Sequence, residues 1–136
     1  MAIQKKKILV VDDDESITRM LMLNLHHTGH YVVHVENDAQ AALNAARKFE
    51  PDLILLDVMM PGMDGGDLAA RFQDTPQFKD IPIVFLTAAV KHTEAPGGRN
   101  IGGFPFLAKP VDVDELVNCI EKQFRLKASS PKPGGK

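Results

Sequence analysis

A run of four large aliphatic residues that ends in an acid constrains this chain most. Residues 53–56, Leu-Ile-Leu-Leu, lead directly into Asp57, and Pro61 and Gly62 follow soon after. A short apolar run bounded by a turn is typical of a strand buried on both faces of a parallel sheet. Asp57 is therefore predicted at the carboxyl end of a central strand, the edge of an open α/β sheet where ligands bind. An acid there is a metal ligand, a nucleophile or a helix N-cap, and a cap is disfavoured because helical sequence resumes only at Gly65.

Four further apolar runs resemble this one, and stretches of helical periodicity separate them. We predict strands at residues 8–11, 31–35, 53–57, 81–87 and 104–108, and helices at about 15–26, 37–49, 65–72 and 113–126. Strands that alternate with helices indicate a doubly wound α/β fold with a five-stranded parallel sheet. The length of 136 residues suits one domain, predicted over residues 1–127, with residues 128–136 as a flexible tail or the start of a linker.

Composition and charge argue against several classes of protein. The chain has 44% hydrophobic and 25% charged residues and a formal charge of −2, whereas binding to nucleic acid favours a basic surface. The single cysteine, Cys119, rules out an intramolecular disulfide and fits a reducing compartment. No apolar run approaches the roughly 18 residues of a membrane span, and residues 8–11 are too short for a signal peptide. We therefore expect a cytoplasmic protein without membrane insertion or direct nucleic-acid binding.

Polar residues follow the predicted strands at the edge where the carboxyl ends of parallel strands meet. They are Asp12, Asp13, Asp57, Thr87 and Lys109. Three neighbouring carboxylates repel one another and need a compensating cation, which Lys109 and a divalent ion would supply. Oxygen ligands alone favour Mg²⁺ over zinc. Such a site could receive a phosphoryl group on Asp57, although helix capping and loop solubility are an alternative reading of the acids.

Four histidines offer a second, weaker metal hypothesis. His26, His27, His30 and His34 are close in sequence, but Gly29 breaks the predicted helix between them. Scattered surface histidines are the favoured interpretation.

Four motifs occur in order at the predicted strand ends. They are Val-Val-Asp-Asp-Asp at residues 10–14, Leu-Leu-Asp-Val-Met-Met-Pro-Gly-Met-Asp-Gly at 55–65, Leu-Thr-Ala at 86–88 and Phe-Leu-Ala-Lys-Pro at 106–110. With them the chain resembles the receiver domain of two-component response regulators from about residue 7 to residue 126. This resemblance implies a flavodoxin-like fold of stand-alone, chemotaxis-regulator-like length.

The resemblance also assigns roles at the acidic edge of the sheet. It implies that Asp57 is the phosphoacceptor and also a metal ligand. It further implies that Asp13 binds Mg²⁺ directly, together with the backbone carbonyl of Met59, while Asp12 acts mainly through water.

Further roles fall on the last two predicted strands. The resemblance implies that Thr87 and Lys109 hold the phosphoryl group and that the Lys109–Pro110 peptide bond is cis, a form essentially limited to proline. It places Phe106 where the family has a rotating aromatic side chain, so Thr87 and Phe106 are the expected switch residues.

The function implied is a signalling switch. A histidine kinase or a histidine phosphotransfer protein would donate the phosphoryl group, and a changed surface would bind a downstream protein target. The chain would assist its own phosphorylation and dephosphorylation rather than act as an enzyme. The alternative that stays open is the first domain of a longer regulator. A pseudo-receiver would have lost an acid, the threonine or the lysine, and none is lost here. An aspartate-nucleophile phosphohydrolase is also disfavoured. A phosphohydrolase would carry an acid where Met59 stands.

One segment departs from the family pattern. Where a fourth helix is expected, residues 91–103 hold Pro96 and four glycines, all unfavourable inside a helix. We expect no long helix there, and a segment that is mobile while Asp57 is unmodified.

Overall fold

The strand that leads into Asp57 lies between two other parallel strands, and all five of its residues are buried. The computed structural model describes residues 5–60, 62–87, 100–101 and 104–129. The strands are β1 Lys6–Val11, β2 Tyr31–Glu36, β3 Leu53–Asp57, β4 Met59–Met60, β5 Met63–Asp64, β6 Ile83–Thr87, β7 Asn100–Ile101 and β8 Phe104–Ala108. The helices are α1 Glu15–His27, α2 Ala42–Phe49, α3 Gly65–Asp74 and α4 Val113–Ser129, with a short 3₁₀ helix at Ala39–Ala41.

The main sheet has the strand order β2-β1-β3-β6-β8-β7, and its first five strands run parallel. The predicted doubly wound, five-stranded parallel sheet is thus confirmed. A sixth strand was not predicted: the two residues of β7 pair antiparallel with β8. A prediction from apolar runs misses a strand of two residues, because such a strand is defined only by its hydrogen bonds to a neighbouring strand in the folded protein.

Several element boundaries differ from the sequence prediction. The segment predicted as one helix over residues 37–49 is a short 3₁₀ helix at Ala39–Ala41 followed by α2 from Ala42. Strand β6 begins at Ile83 rather than residue 81, because Pro82 has no N–H to give to a ladder. The Pro82 carbonyl still accepts a hydrogen bond from the Ile54 N–H at 3.0 Å. Helix α4 continues to Ser129, so two residues predicted as tail are helical.

Some predicted features fall on residues that the structure does not describe. They are the remainder of the predicted tail, residues 130–136, and most of the glycine-rich segment, residues 91–99 and 102–103. The expectation of a mobile segment without a long helix therefore stays a prediction.

Alternation along the strands builds one apolar core on each face of the sheet. Successive side chains of a strand point to opposite faces. Ile8, Val10, Leu53 and Leu55 pack with buried residues of α1 and α4. Leu9, Val11, Ile54 and Leu56 pack with buried residues of α2 and α3. With both faces covered, the polar residues that follow the strands are the ones left at the edge.

A tight connection carries the chain from β3 into α3. Strands β4 and β5 pair antiparallel, with Gly62 between them at a φ of +78°, a conformation that favours glycine. The N–H of Gly65 then donates to the Val58 carbonyl at 2.7 Å. A Cβ on Gly65 would lie 2.3 Å from the Asp57 carbonyl oxygen. Helix α3 can therefore begin this close to Asp57 only because residue 65 has no side chain.

Candidate functional site

An open cavity of about 360 Å³ lies at the carboxyl edge of the sheet. The residues that line it are Asp12, Asp13, Asp14, Asp57, Met59, Thr87 and Lys109. Strand register brings them together, because Asp57 is paired with Leu86 and Thr87 with Ala108. Every residue predicted for metal or phosphoryl chemistry is in this set, whereas Phe106 is not.

Asp12 is fully buried and is held from two sides. Its Oδ1 accepts a hydrogen bond from the Asp14 N–H at 3.0 Å. Its Oδ2 forms an ion pair with Lys109 Nζ at 2.7 Å and has no other partner among the described residues. The charge of this buried oxygen is therefore balanced by Lys109, and lone-pair capacity is left on it.

Asp57 is the second buried acid, with only 5% of its surface exposed. Its Oδ1 accepts a hydrogen bond from the Met59 N–H at 3.3 Å and lies 3.4 Å from Lys109 Nζ. Burial, reinforced by the neighbouring Asp12 carboxylate, raises the pKa of Asp57 to about 6, although Lys109 acts in the opposite direction.

Lys109 is the cation that both acids share. Burial lowers the pKa of its ammonium, but the Asp12 and Asp57 carboxylates outweigh burial, and the pKa ends above its ordinary value. The Lys109 N–H donates to the Thr87 carbonyl at 2.9 Å, and the Lys109–Pro110 bond is cis, as the resemblance implied. The backbone after β8 is thus fixed against β6 with the ammonium inside the cavity.

The acidic cluster fits a divalent cation. Asp12, Asp13 and Asp57 each offer a carboxylate oxygen, and these oxygens lie within 4.8 Å of one another. Asp13 is exposed, which leaves a solvent side open, and the buried Oδ2 of Asp12 has lone-pair capacity left for a further cation. Within the described ranges no group of histidines has ligating atoms gathered in this way.

The two expected switch residues lie in different surroundings. Thr87 ends β6, is 3% exposed and lines the cavity. Phe106 is 4% exposed and packs in the core on the α2 and α3 face, beside Phe85 of the neighbouring strand. In this structure Phe106 is thus a core residue.

Sequence reasoning assigned no site role to two neighbours of the acids. Asp14 caps α1, accepting hydrogen bonds from the Ser16 and Ile17 N–H groups, and it also lines the cavity. Asn37 donates from Nδ2 to the Asp12 backbone carbonyl at 2.9 Å. The sequence predicts Asn37 as the start of a helix. The one sequence signal for its contact with Asp12 is its place directly after β2, at the same edge of the sheet.

Fold and site together define a parallel α/β protein with an acidic pocket that also holds a lysine. The chain belongs to the response regulator receiver domain family, whose model matches residues 8–121.

Relatives agree with this assignment. Response regulator PleD of Caulobacter vibrioides is 42% identical over 121 residues, which cover 89% of this chain and 26% of PleD. DNA-binding response regulator MtrA of Mycolicibacterium smegmatis is 35% identical over 131 residues, 96% of this chain and 56% of MtrA. The chain thus spans between about a quarter and just over half the length of these two relatives.

Among solved structures, chemotaxis protein CheY4 of Vibrio cholerae is similar over almost its whole length. It matches with a TM-score of 0.76 and 31% identity, covering 88% of this chain and 98% of that protein.

In the part of the chain that the structure describes, no helix is both long and apolar enough to cross a membrane.

Proposed function

We propose that this chain is a phosphorylation-dependent signalling switch whose phosphoacceptor is Asp57. The observation that carries the proposal is the surroundings of Asp57. It is a buried carboxylate that lines an open cavity, with an ammonium 3.4 Å away and two further carboxylates within 4.8 Å. A metal site alone would not require the ammonium, and an ion pair alone would not require three acids.

In the proposed step an Asp57 oxygen forms a bond to the phosphorus of the donor. The bond between phosphorus and the leaving group breaks, and the leaving group departs with the electron pair. Lys109 offsets negative charge on the phosphoryl oxygens, and the Thr87 hydroxyl donates a hydrogen bond to them. The product is an acyl phosphate on Asp57, which water can later hydrolyse.

Mg²⁺ is the cation that the donor set favours. Asp12, Asp13, Asp57 and the Met59 carbonyl would hold it, and as a hard ion it prefers oxygen ligands. When bound, it supplies positive charge against the phosphoryl oxygens. Asp13 is the exposed acid of the set and would be a direct ligand, with buried Asp12 acting mainly through water.

Phosphorylation of Asp57 would change the protein surface through the two strands that carry Thr87 and Phe106. Thr87 would move toward the new charge, and Phe106, which is packed inward before modification, would repack with it. The donor would be a histidine kinase or a histidine phosphotransfer protein, and the changed surface would bind a downstream protein target in the cytoplasm. The chain would assist the gain and loss of its own phosphoryl group without turning over an external substrate.

A second candidate is that this chain acts as the receiver domain of a longer regulator. The coverage of PleD and MtrA favours it, since both are much longer than the matched region. A phosphohydrolase is disfavoured because the residue two positions after Asp57 is Met59, whose exposed side chain cannot transfer a proton.

Intact-mass spectrometry tests the proposal. The protein is incubated with acetyl phosphate and Mg²⁺, and we expect a gain of one acid-labile phosphoryl group. Asp57→Asn should gain none, and the exposed Asp80→Asn should behave as the parent does. A parent that gains nothing, or an Asp57→Asn variant that gains as much, would contradict the proposal.

A further inference from the structure

Asn37 lies directly after β2, and its side chain reaches into the first acidic loop. Its Nδ2 donates to the Asp12 backbone carbonyl at 2.9 Å and to Thr18 Oγ1 at 3.0 Å, which uses both hydrogens of the amide. The Thr18 hydroxyl in turn donates to the Glu15 carbonyl at 3.2 Å. Thr18 is only 2% exposed, so this network is well shielded from water.

The carbonyl held by Asn37 belongs to the peptide group between Asp12 and Asp13. On the other side of Asp12, its N–H donates to the Glu36 carbonyl at 3.2 Å. Both peptide groups that flank Asp12 are therefore tied to two consecutive residues, Glu36 at the end of β2 and Asn37 directly after it. Because a peptide group is planar, turning the Asp12–Asp13 unit would break the Asn37 bond and redirect both acidic side chains.

We infer that Asn37, supported by Thr18, is a positioning residue for the divalent-cation site. It holds the Asp12–Asp13 peptide group so that these two carboxylates face one ion together with Asp57. The inference rests on the proposed function and deepens it. Neither Asn37 nor Thr18 lines the cavity, so both act through the acidic loop.

Mg²⁺ affinity is the property that this role controls. Loss of a group that orients a metal ligand typically weakens metal binding by about 10- to 100-fold. Asn37→Ala removes the donor to Asp12. Thr18→Val keeps the shape of the side chain but removes the hydroxyl that receives the second amide hydrogen, whereas Thr18→Ser keeps the hydroxyl.

Isothermal titration of metal-free protein with Mg²⁺ is the direct test. We expect Asn37→Ala and Thr18→Val to bind Mg²⁺ about tenfold more weakly than the parent. Thr18→Ser should bind as the parent does, and so should Asn118→Ala, an exposed asparagine of α4. The Mg²⁺ concentration that gives half the maximal rate of phosphoryl uptake should rise in parallel. The rate at saturating Mg²⁺ should stay close to the parent's.

Circular dichroism confirms that each variant is folded, and Thr18→Val serves if Asn37→Ala does not fold. Folded variants that lose stability but bind Mg²⁺ with the parent's affinity would overturn the positioning role and leave the proposed function standing. So would a Thr18→Ser variant as weakened as Thr18→Val. A parent that binds no Mg²⁺ would overturn the proposed function, and the inference with it.

Discussion

Lys109 Nζ lies 2.7 Å from Asp12 Oδ2, so the lysine after the last parallel strand neutralises the buried acid after the first. Asp57 is farther from the same ammonium, at 3.4 Å. Lys109 therefore offsets the charge of both buried acids at this edge of the sheet.

Removing this ammonium should destabilise the metal-free protein. Lys109→Met leaves Asp12 fully buried without a cation, and breaking a buried ion pair costs about 3 kcal/mol. Urea unfolding in a chelator measures the loss, and added Mg²⁺ should restore part of it, because a ligand of the native state stabilises that state. The exposed Lys122→Met is the control, and an equal loss in both variants would contradict the account.

Neutralising Asp57, the proposed phosphoacceptor, should have the opposite effect on stability. The pKa of Asp57 is raised from 3.8 to about 6, so its charged form is disfavoured in the folded protein. We expect Asp57→Asn to be about 1–3 kcal/mol more stable than the parent at neutral pH in a chelator. Asp80→Asn should change little. This gain in stability should shrink in saturating Mg²⁺, because Mg²⁺ binds the parent more tightly than the variant. An Asp57→Asn variant that is less stable than the parent in the chelator would contradict the idea that the buried charge of Asp57 destabilises the fold.

Gly65 should tolerate no side chain. A Cβ there would lie 2.3 Å from the Asp57 carbonyl oxygen and 2.7 Å from Val58 Cα, both of them backbone atoms. Overpacking of this kind should cost about 3 kcal/mol and slow phosphoryl uptake by shifting Asp57. Gly66→Ala is the matched control, because its Cβ would meet only the Asp64 carboxylate at 3.2 Å. Thermal unfolding of the two variants gives the comparison, and similar midpoints would refute the close approach.

The sequence predicts those parts of the site that depend on residues adjacent in the chain, and it misses those that depend on contacts between distant residues. Asp57 directly follows its apolar run in the chain, and Asp12 directly follows β1, so both strand-end positions could be predicted from contiguous residues. The contact of Asn37 with Asp12 depends on the register that pairs Val11 with Glu36, which no local pattern contains. Strand β7 was missed for the same reason, since it exists only through its pairing with β8.

The hydroxyl of Tyr31 should contribute to stability in a pH-dependent way. Tyr31 is buried and donates a hydrogen bond to Glu121, which joins β2 to α4. Burial first, and then Glu121, raise the pKa of Tyr31 above its ordinary value of 10.0. Above about pH 10.0 the Tyr31 hydroxyl of the unfolded chain loses its proton, whereas the folded protein still keeps it. The free energy of unfolding therefore falls as the pH rises past this value. Tyr31→Phe should be about 1 kcal/mol less stable near neutrality.

Urea unfolding between neutral and strongly alkaline pH separates these two effects. Tyr31→Phe lacks the titrating hydroxyl, so the stability gap between parent and variant should narrow as the pH rises past 10.0. A gap that stays constant over this range would show that the Tyr31 hydroxyl does not titrate differently in the two states.

Chemical trapping of the acyl phosphate tests the central claim most directly. Borohydride reduces an aspartyl phosphate to homoserine and leaves unmodified aspartate unchanged, so peptide mass spectrometry can locate the phosphoryl group. After treatment with acetyl phosphate we predict homoserine at position 57 alone, and only when Mg²⁺ was present. Homoserine at position 12 or 13, or a phosphorylated protein that yields no homoserine at all, would contradict the account.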